Sequence, residues 1–169
     1  MKSKLHEKFF NRDVLIVAPE LPGKYLAILQ NGKINHYLIT DVEAYRGEED
    51  KACHASKGRT SRTEIMYHVG GHVYVYLVYG MYWMLNFVTG TADEPQAVLI
   101  RGLENLNGPG KLTRHLKIDR SYYGENLCLS KRIWVEDNGL KPVITTSPRI
   151  GINYSGEPWI SKPWRFKIL

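Results

Sequence analysis

The spacing of apolar and polar positions changes character several times along the chain, and each change marks an element. Residues 14–18 are apolar and follow Asp13, a residue type that caps helix starts; this predicts a short helix that Pro19 ends. Residues 25–29 and 34–39 are apolar runs on either side of Gln30-Asn31-Gly32-Lys33, and Asn-Gly in that setting predicts a tight β-hairpin. Glu43 then falls just beyond the end of the second strand. Residues 51–63 read as a loop, and Ser61-Arg62-Thr63-Glu64 has the capping-box pattern that opens a short helix. Residues 73–79 are β-branched and aromatic and predict a strand; Gly80-Met81 turns it into a second strand over 82–89, and a third follows over 97–101. Gly108-Pro109 opens a helix over 110–117, with proline at a tolerated first-turn position. Residues 133–135, 143–146 and 165–168 add strands, and residues 1–10 are expected to form a loose N-terminal arm. The pattern predicts a single α+β domain over residues 1–169, built on a curved, mostly antiparallel β-sheet.

Length and composition agree with that reading. A chain of 169 residues can bury one real core. Its 43% hydrophobic and 24% charged residues fit a globular protein. No apolar run approaches the roughly 18 residues that a membrane span needs, and no apolar segment follows Met1-Lys2-Ser3-Lys4-Leu5-His6-Glu7-Lys8, so no secretory signal is expected. Cys53 and Cys128 are too few for a disulfide framework and read as reduced thiols. The net charge of +6 is uneven: five Lys or Arg stand against Glu157 alone over residues 141–169. A basic surface attracts phosphate backbones, although charge by itself fits any basic soluble protein equally well.

Candidate chemistry sharpens the picture. Asp41-Val42-Glu43-Ala44-Tyr45-Arg46-Gly47-Glu48-Glu49-Asp50 is acidic in an otherwise basic chain. Tyr74-Val75-Tyr76-Leu77-Val78-Tyr79-Gly80-Met81-Tyr82 is rich in flat side chains, with Asn86 and Arg101 beyond it. A carboxylate, aromatic faces and a basic background suggest chemistry on a base in nucleic acid. The residues alone leave other readings open. Asp41, Glu48, Glu49 and Asp50 could form an oxygen cage for Mg²⁺. Cys53-His54 could be half of a zinc site, but has no second pair. Glu43 could be a solvated surface residue, Tyr76 a cross-strand aromatic and Tyr79 an ordinary hairpin-tip residue.

Several blocks together resemble the alkyladenine, or 3-methyladenine, DNA glycosylase family: Leu21-Pro22-Gly23-Lys24, Glu43-Ala44-Tyr45-Arg46-Gly47 through His54, Arg62 with Met66, residues 74–86, residues 97–106, Gly108-Pro109-Gly110-Lys111-Leu112 and Arg149-Ile150-Gly151-Ile152. They run in order through nearly the whole chain. The resemblance implies an antiparallel curved sheet with peripheral helices, acting as a monomer on double-stranded DNA that carries damaged purines, without cofactor or metal. It implies cleavage of the bond between sugar C1′ and an alkylated purine (3-methyladenine, 7-methylguanine, with hypoxanthine and ethenoadenine as further substrates) after the nucleotide is flipped out. Glu43 matches the family's catalytic glutamate and Arg101 an arginine beside the attacking water. Tyr45, His54 and Tyr76 match the walls of the base pocket, Asn86 its floor, and Tyr79 the side chain that fills the gap left in the stack. Lys111, after Gly108-Pro109-Gly110, reads as a phosphate contact at a helix start. Thr63 in place of a common asparagine, and Asp41-Val42 in place of a common Glu-Thr pair, depart from the family pattern, and the chain lacks the longer tail of some members. The compartment implied is cytoplasmic, at the nucleoid, for a bacterial source, or nuclear for a eukaryotic one. The rivals are a DNA-binding module that has lost catalysis, and a hydrolase of small nucleosides or glycosides, which commonly needs two carboxylates.

Overall fold

Strict two-residue alternation runs through three neighbouring strands between residues 73 and 103 and sorts their side chains onto two faces of one sheet. The computed structural model describes residues 2–169; Met1 of the expected arm and domain lies outside them. In chain order its elements are β1 (Ser3–Lys4), α1 (Glu7–Phe10), α2 (Val14–Glu20), β2 (Tyr25–Gln30), β3 (Lys33–Arg46), β4 (Val73–Val78), β5 (Tyr82–Thr89), β6 (Gln96–Leu103), β7 (Leu106–Asn107), α3 (Pro109–Leu116), β8 (Ile133–Asp137), β9 (Ile144–Ser147) and β10 (Arg165–Ile168). The strands follow the path β1-β8-β2-β3-β6-β5-β4, with β10 joining β3 to β9 and β7 beside β6. Every strand pairing is antiparallel. With the three helices this is the α+β class expected from the sequence.

One sheet face carries Val42, Ala44, Val73, Val75, Leu85, Phe87, Val98 and Ile100, which pack with Phe10, Val14, Val17 and Leu21 around α1 and α2 and with Leu112 and Leu116 of α3. That is the main core. The opposite face carries Tyr74, Val88 and Ala97, covered by Cys53, Ala55, Ile65, Met66 and Tyr67 from the segment between β3 and β4. Asp41, Glu43 and Tyr45 share this second face, because they alternate with core-facing Val42 and Ala44.

The β2–β3 hairpin forms as expected. Gln30 pairs with Lys33, and Asn31 and Gly32 take φ of 50° and 75°, the left-handed pair that a two-residue hairpin turn requires. Other expectations need correction. The N-terminal segment is not a loose arm: Ser3 and Lys4 pair with Asp137 and Glu136, and Phe10 is fully buried. Burial of that one large side chain draws the segment onto the sheet. Helix α2 runs through Pro19 to Glu20; only its last turn remains there, so the missing N–H interrupts little. The capping box does not form. Arg59 takes the Glu64 carboxylate through two bonds of 2.7 and 2.8 Å, and Glu64–Tyr67 is a 3-10 turn. Glu43 is not beyond a strand but inside one, because β3 extends to Arg46. Tyr79 is not the last residue of β4 but a turn residue, with φ of 53° followed by Gly80 at 64°.

Candidate active site

A single row of residues crosses the second face. Glu43 on β3 pairs with Leu99 on β6, Leu99 with Asn86 on β5, and Asn86 with Tyr74 on β4. Strands lie about 4.8 Å apart, so residues distant in sequence are held side by side by backbone hydrogen bonds. The neighbouring rows supply Tyr45 beside Ala97, and Met84 beside Tyr76. All of these except Glu43, which is buried out of the lining, floor a cleft of about 370 Å³, walled by His54 and Met66 and by Ile150, Ile152 and Tyr154. Mostly apolar and aromatic walls with a few polar groups are the usual make-up of a small-ligand site, and the volume lies in the usual range.

The register of β3 against β6 slips twice. Ile39 pairs with Leu103 and Asp41 with Gly102, leaving Thr40 over; Asp41 to Val42 then corresponds to Gly102 to Ile100, leaving Arg101 over. Such bulges re-aim side chains. Arg101 lines the cleft and brings Nη1 to 3.4 Å from Glu43 Oε1.

Glu43 is completely buried. Its Oε1 also accepts from the Ile150 backbone N–H at 2.8 Å, and its Oε2 accepts from the Tyr45 hydroxyl at 2.8 Å. Burial pushes the carboxyl up from its ordinary value; Arg101, the Ile150 N–H and the Tyr45 hydroxyl oppose this, and Asp41 adds to it. Burial, and then Glu43, hold the Tyr45 hydroxyl well above its ordinary value, so it remains a donor. Asp41 pairs with Arg165 of β10 at 2.6 Å.

His54 stands edge-on to Tyr76, with ring centroids 4.4 Å apart. Its Nδ1 shares a 2.9 Å hydrogen bond with the Tyr74 hydroxyl. Burial, then Arg62 and Lys57, lower its pKa to about 4, so the ring is neutral at physiological pH. The Arg62 guanidinium lies 5.1 Å from the centroid of Tyr76. Asn86 donates to the Tyr74 and Met84 carbonyls at 3.1 and 3.4 Å. Tyr79 stands at the cleft mouth, 88% exposed on the β4–β5 turn. Lys111 is exposed in the first turn of α3 and lies outside the cleft wall, which Pro109 reaches. The structure therefore gathers Tyr45, His54, Tyr76, Tyr79, Asn86 and Arg101 at one cleft, buries Glu43 against Tyr45 and Arg101 of its lining, and leaves Lys111 outside it.

The acidic run does not form a cage. Asp41 faces Arg165, Glu48 accepts from the Tyr67 hydroxyl, Glu49 pairs with Arg46, and Asp50 pairs with Arg149. Among the described residues no cluster of three His, Cys, Asp or Glu side chains could hold a metal ion, and no helix is long and apolar enough to cross a membrane.

A model of the family described as methylpurine-DNA glycosylase matches residues 8–169. The chain belongs to that family. Relatives named "Putative 3-methyladenine DNA glycosylase" align with nearly the whole chain. The protein of Psychrobacter cryohalolentis is 40% identical, covering 100% of this chain and 92% of its own. That of Wolbachia pipientis wMel is 44% identical over 98% of this chain and 91% of its own, and that of Rickettsia felis is 45% identical over 97% and 92%. In this DNA glycosylase Glu43, Tyr45, Tyr74 and Tyr76 share one sheet face, with His54 and Tyr154 reaching the cleft from outside the sheet. Reading the sequence missed the groups that hold the carboxylate from the C-terminal side. The Ile150 N–H, Arg149 and Arg165 all come from positions more than a hundred residues from Glu43, and no local pattern signals such contacts.

Proposed function

We propose that this DNA glycosylase hydrolyses the N-glycosidic bond of alkylated purines in double-stranded DNA, 3-methyladenine and 7-methylguanine first, with hypoxanthine and ethenoadenine as secondary substrates. The observation that carries the reading is a buried carboxylate held by Arg101, the Tyr45 hydroxyl and the Ile150 N–H, three residues that line an aromatic cleft of about 370 Å³. The damaged nucleotide leaves the stack and enters the cleft. Tyr45, Tyr76 and His54 offer it ring faces and edges. Alkylation leaves the purine cationic, which favours aromatic faces and makes the base a good leaving group. A neutral His54 adds no opposing charge.

Glu43 takes a proton from a water as the water oxygen bonds to C1′. The C1′–N bond breaks and its electron pair leaves with the base, where it cancels the positive charge of a methylated ring or, for the neutral hypoxanthine and ethenoadenine, is taken up by a proton from solvent water, and an abasic sugar with a C1′ hydroxyl remains. The ionised carboxylate also stabilises the positive charge that develops on the sugar. Arg101 keeps Glu43 ionised against burial and against nearby DNA phosphates. Lys111 holds a phosphate, and Tyr79 occupies the space the flipped nucleotide leaves.

The decisive variant is Glu43→Gln. The amide keeps the shape but cannot accept the proton, so single-turnover excision falls by about 10²–10⁴ or more while lesion-DNA binding stays near that of the native enzyme. The pH profile supplies a second reading. The base works ionised and its pKa is raised, so native activity is lost as pH falls through a value above the ordinary carboxylate range. Excision by Glu43→Gln at the native rate removes Glu43 from the mechanism.

A further inference from the structure

Behind the Glu43 cluster lies a fully buried ion pair that no step above uses. Arg149 Nη1 and Nη2 meet Asp50 Oδ2 and Oδ1 at 2.6 and 3.0 Å, and neither side chain is exposed. The Asp50 carboxylate also accepts from the backbone N–H groups of Arg46 and Ala52, both at 3.0 Å. Arg149 Nη1 donates to the Ala44 carbonyl at 2.9 Å. The guanidinium lies 4.8 Å from the ring centroid of Tyr45 and 5.0 Å from that of Trp164. Stability alone does not call for such a pair, because well-packed apolar residues commonly replace a buried ion pair at no loss.

What the pair touches is specific. Glu43 has two uncharged donors, the Tyr45 hydroxyl and the Ile150 N–H. Arg149 stacks on the first residue and immediately precedes the second. It also grips Ala44, the residue between Glu43 and Tyr45. Asp50 ties the guanidinium to the turn just after β3. We propose that Arg149 and Asp50 are positioning residues for the general base, a strut that holds the Tyr45 hydroxyl and the Ile150 N–H against the Glu43 carboxylate. The inference rests on the assignment of Glu43 as the base. Arg149 acts through these donors rather than by its own charge: the charged groups that bear on Glu43 are Arg101 on β6, Asp41 on β3 and Arg165 on β10, and the hydroxyls of Tyr45 on β3, Tyr76 on β4 and Tyr154 in the C-terminal segment face it uncharged.

The test variant is Arg149→Lys, which keeps the charge but cannot make the paired fork to Asp50 or stack flat on Tyr45. Three measurements apply to the native protein, Arg149→Lys, Tyr45→Phe and the double variant: thermal unfolding, single-turnover excision against pH, and titration of the Glu43 carboxyl carbon by NMR. Donors held less well lower the Glu43 pKa less. The expected results are therefore an upward move of the Glu43 titration in Arg149→Lys, the same move in the acid limb of excision, and a rate loss of about 10²-fold, the scale of a roughly 1 Å misplacement. The double variant should lose less than the two single losses combined, because both weaken the Tyr45 donor while only Arg149→Lys also loosens the Ile150 N–H. A folded Arg149→Lys with an unmoved Glu43 titration overturns the strut, whatever happens to the rate. If Arg149→Lys does not fold, Asp50→Asn is judged by the same criterion. The NMR titration needs no substrate, so it tests the strut even if the assay of Glu43→Gln removes Glu43 from catalysis.

Discussion

Asn86 can speak to the cleft through one atom only. Its Nδ2 is committed to the Tyr74 and Met84 carbonyls of its own hairpin, which leaves Oδ1 as the pole available to a base. An amide oxygen attracts an N–H donor, so any rejection of the guanine 2-amino group at this site works through volume and not through polarity. Shortening the side chain by Asn86→Ser opens that volume. The expected outcome is slow release of normal guanine from mismatched duplex, gained by about 10–200-fold over the native enzyme, with a smaller change for hypoxanthine, which lacks the amino group. The variant also strips two strand carbonyls of a donor, at a cost of about 1–3 kcal/mol; thermal unfolding run beside the assay separates that loss from the change in selectivity. If guanine and hypoxanthine excision fall together, Asn86 is a brace for β4 and β5 and not a filter. At this scale the sequence was readable wherever a residue type had a distinctive chemistry: Arg101, Tyr45, Tyr76 and Tyr79 reach one cleft, and Glu43 lies buried against two of them. It was opaque for Ile150, whose contribution is a backbone N–H that any residue type carries, and for Arg149, whose partner Asp50 looked like one more acid in a run.

Element boundaries followed the alternation of hydrophobicity and failed where the site interrupts it. Strands β4, β5 and β6 were legible because each is a run rich in apolar, aromatic or β-branched residues. The second half of β3 was not, because Asp41 and Glu43 put acids on a face that usually shows apolar or neutral residues. Arg165 and Arg101 offset those charges from β10 and β6, and neither strand could be paired with β3 from sequence. The β4–β5 turn makes a sharper prediction. Tyr79 holds φ of 53°, where a non-glycine residue costs about 1–2 kcal/mol, and its side chain is 88% exposed. An exposed, strained tyrosine earns nothing for the fold. Tyr79→Ala and Tyr79→Gly both remove the ring, but only glycine relieves the backbone. Fluorescence of 2-aminopurine beside the lesion should show the same loss of flipping in both, while thermal unfolding should find the glycine variant about 1 kcal/mol more stable than the alanine one. Undiminished flipping in both variants would make Tyr79 a turn residue with no part in DNA.

For the molecule as a whole, the faces of the sheet divide the labour, and that division predicts where DNA is felt. The helices α1 and α2 pack on one face and the cleft opens on the other. The net charge of +6 therefore matters only in so far as it lies on the cleft side. If the enzyme neutralises about four to six phosphates, log K for undamaged duplex should fall with log[salt] at a slope of roughly −3.5 to −5.5. Single cations can then be weighed. Lys111 is exposed on the first turn of α3, next to Pro109 on the cleft wall; Lys8 is exposed on α1, which packs on the opposite face. Both changes to alanine remove one positive charge from the total, so a general attraction between a basic protein and a polyanion would weaken equally in the two. Direct neutralisation of a phosphate is local. Lys111→Ala should flatten the slope by about 0.9 and Lys8→Ala should leave it unchanged. Fluorescence anisotropy across a salt series decides the matter: equal slopes for the two variants would mean that the charge of this chain acts as a diffuse field, and that Lys111 touches no phosphate.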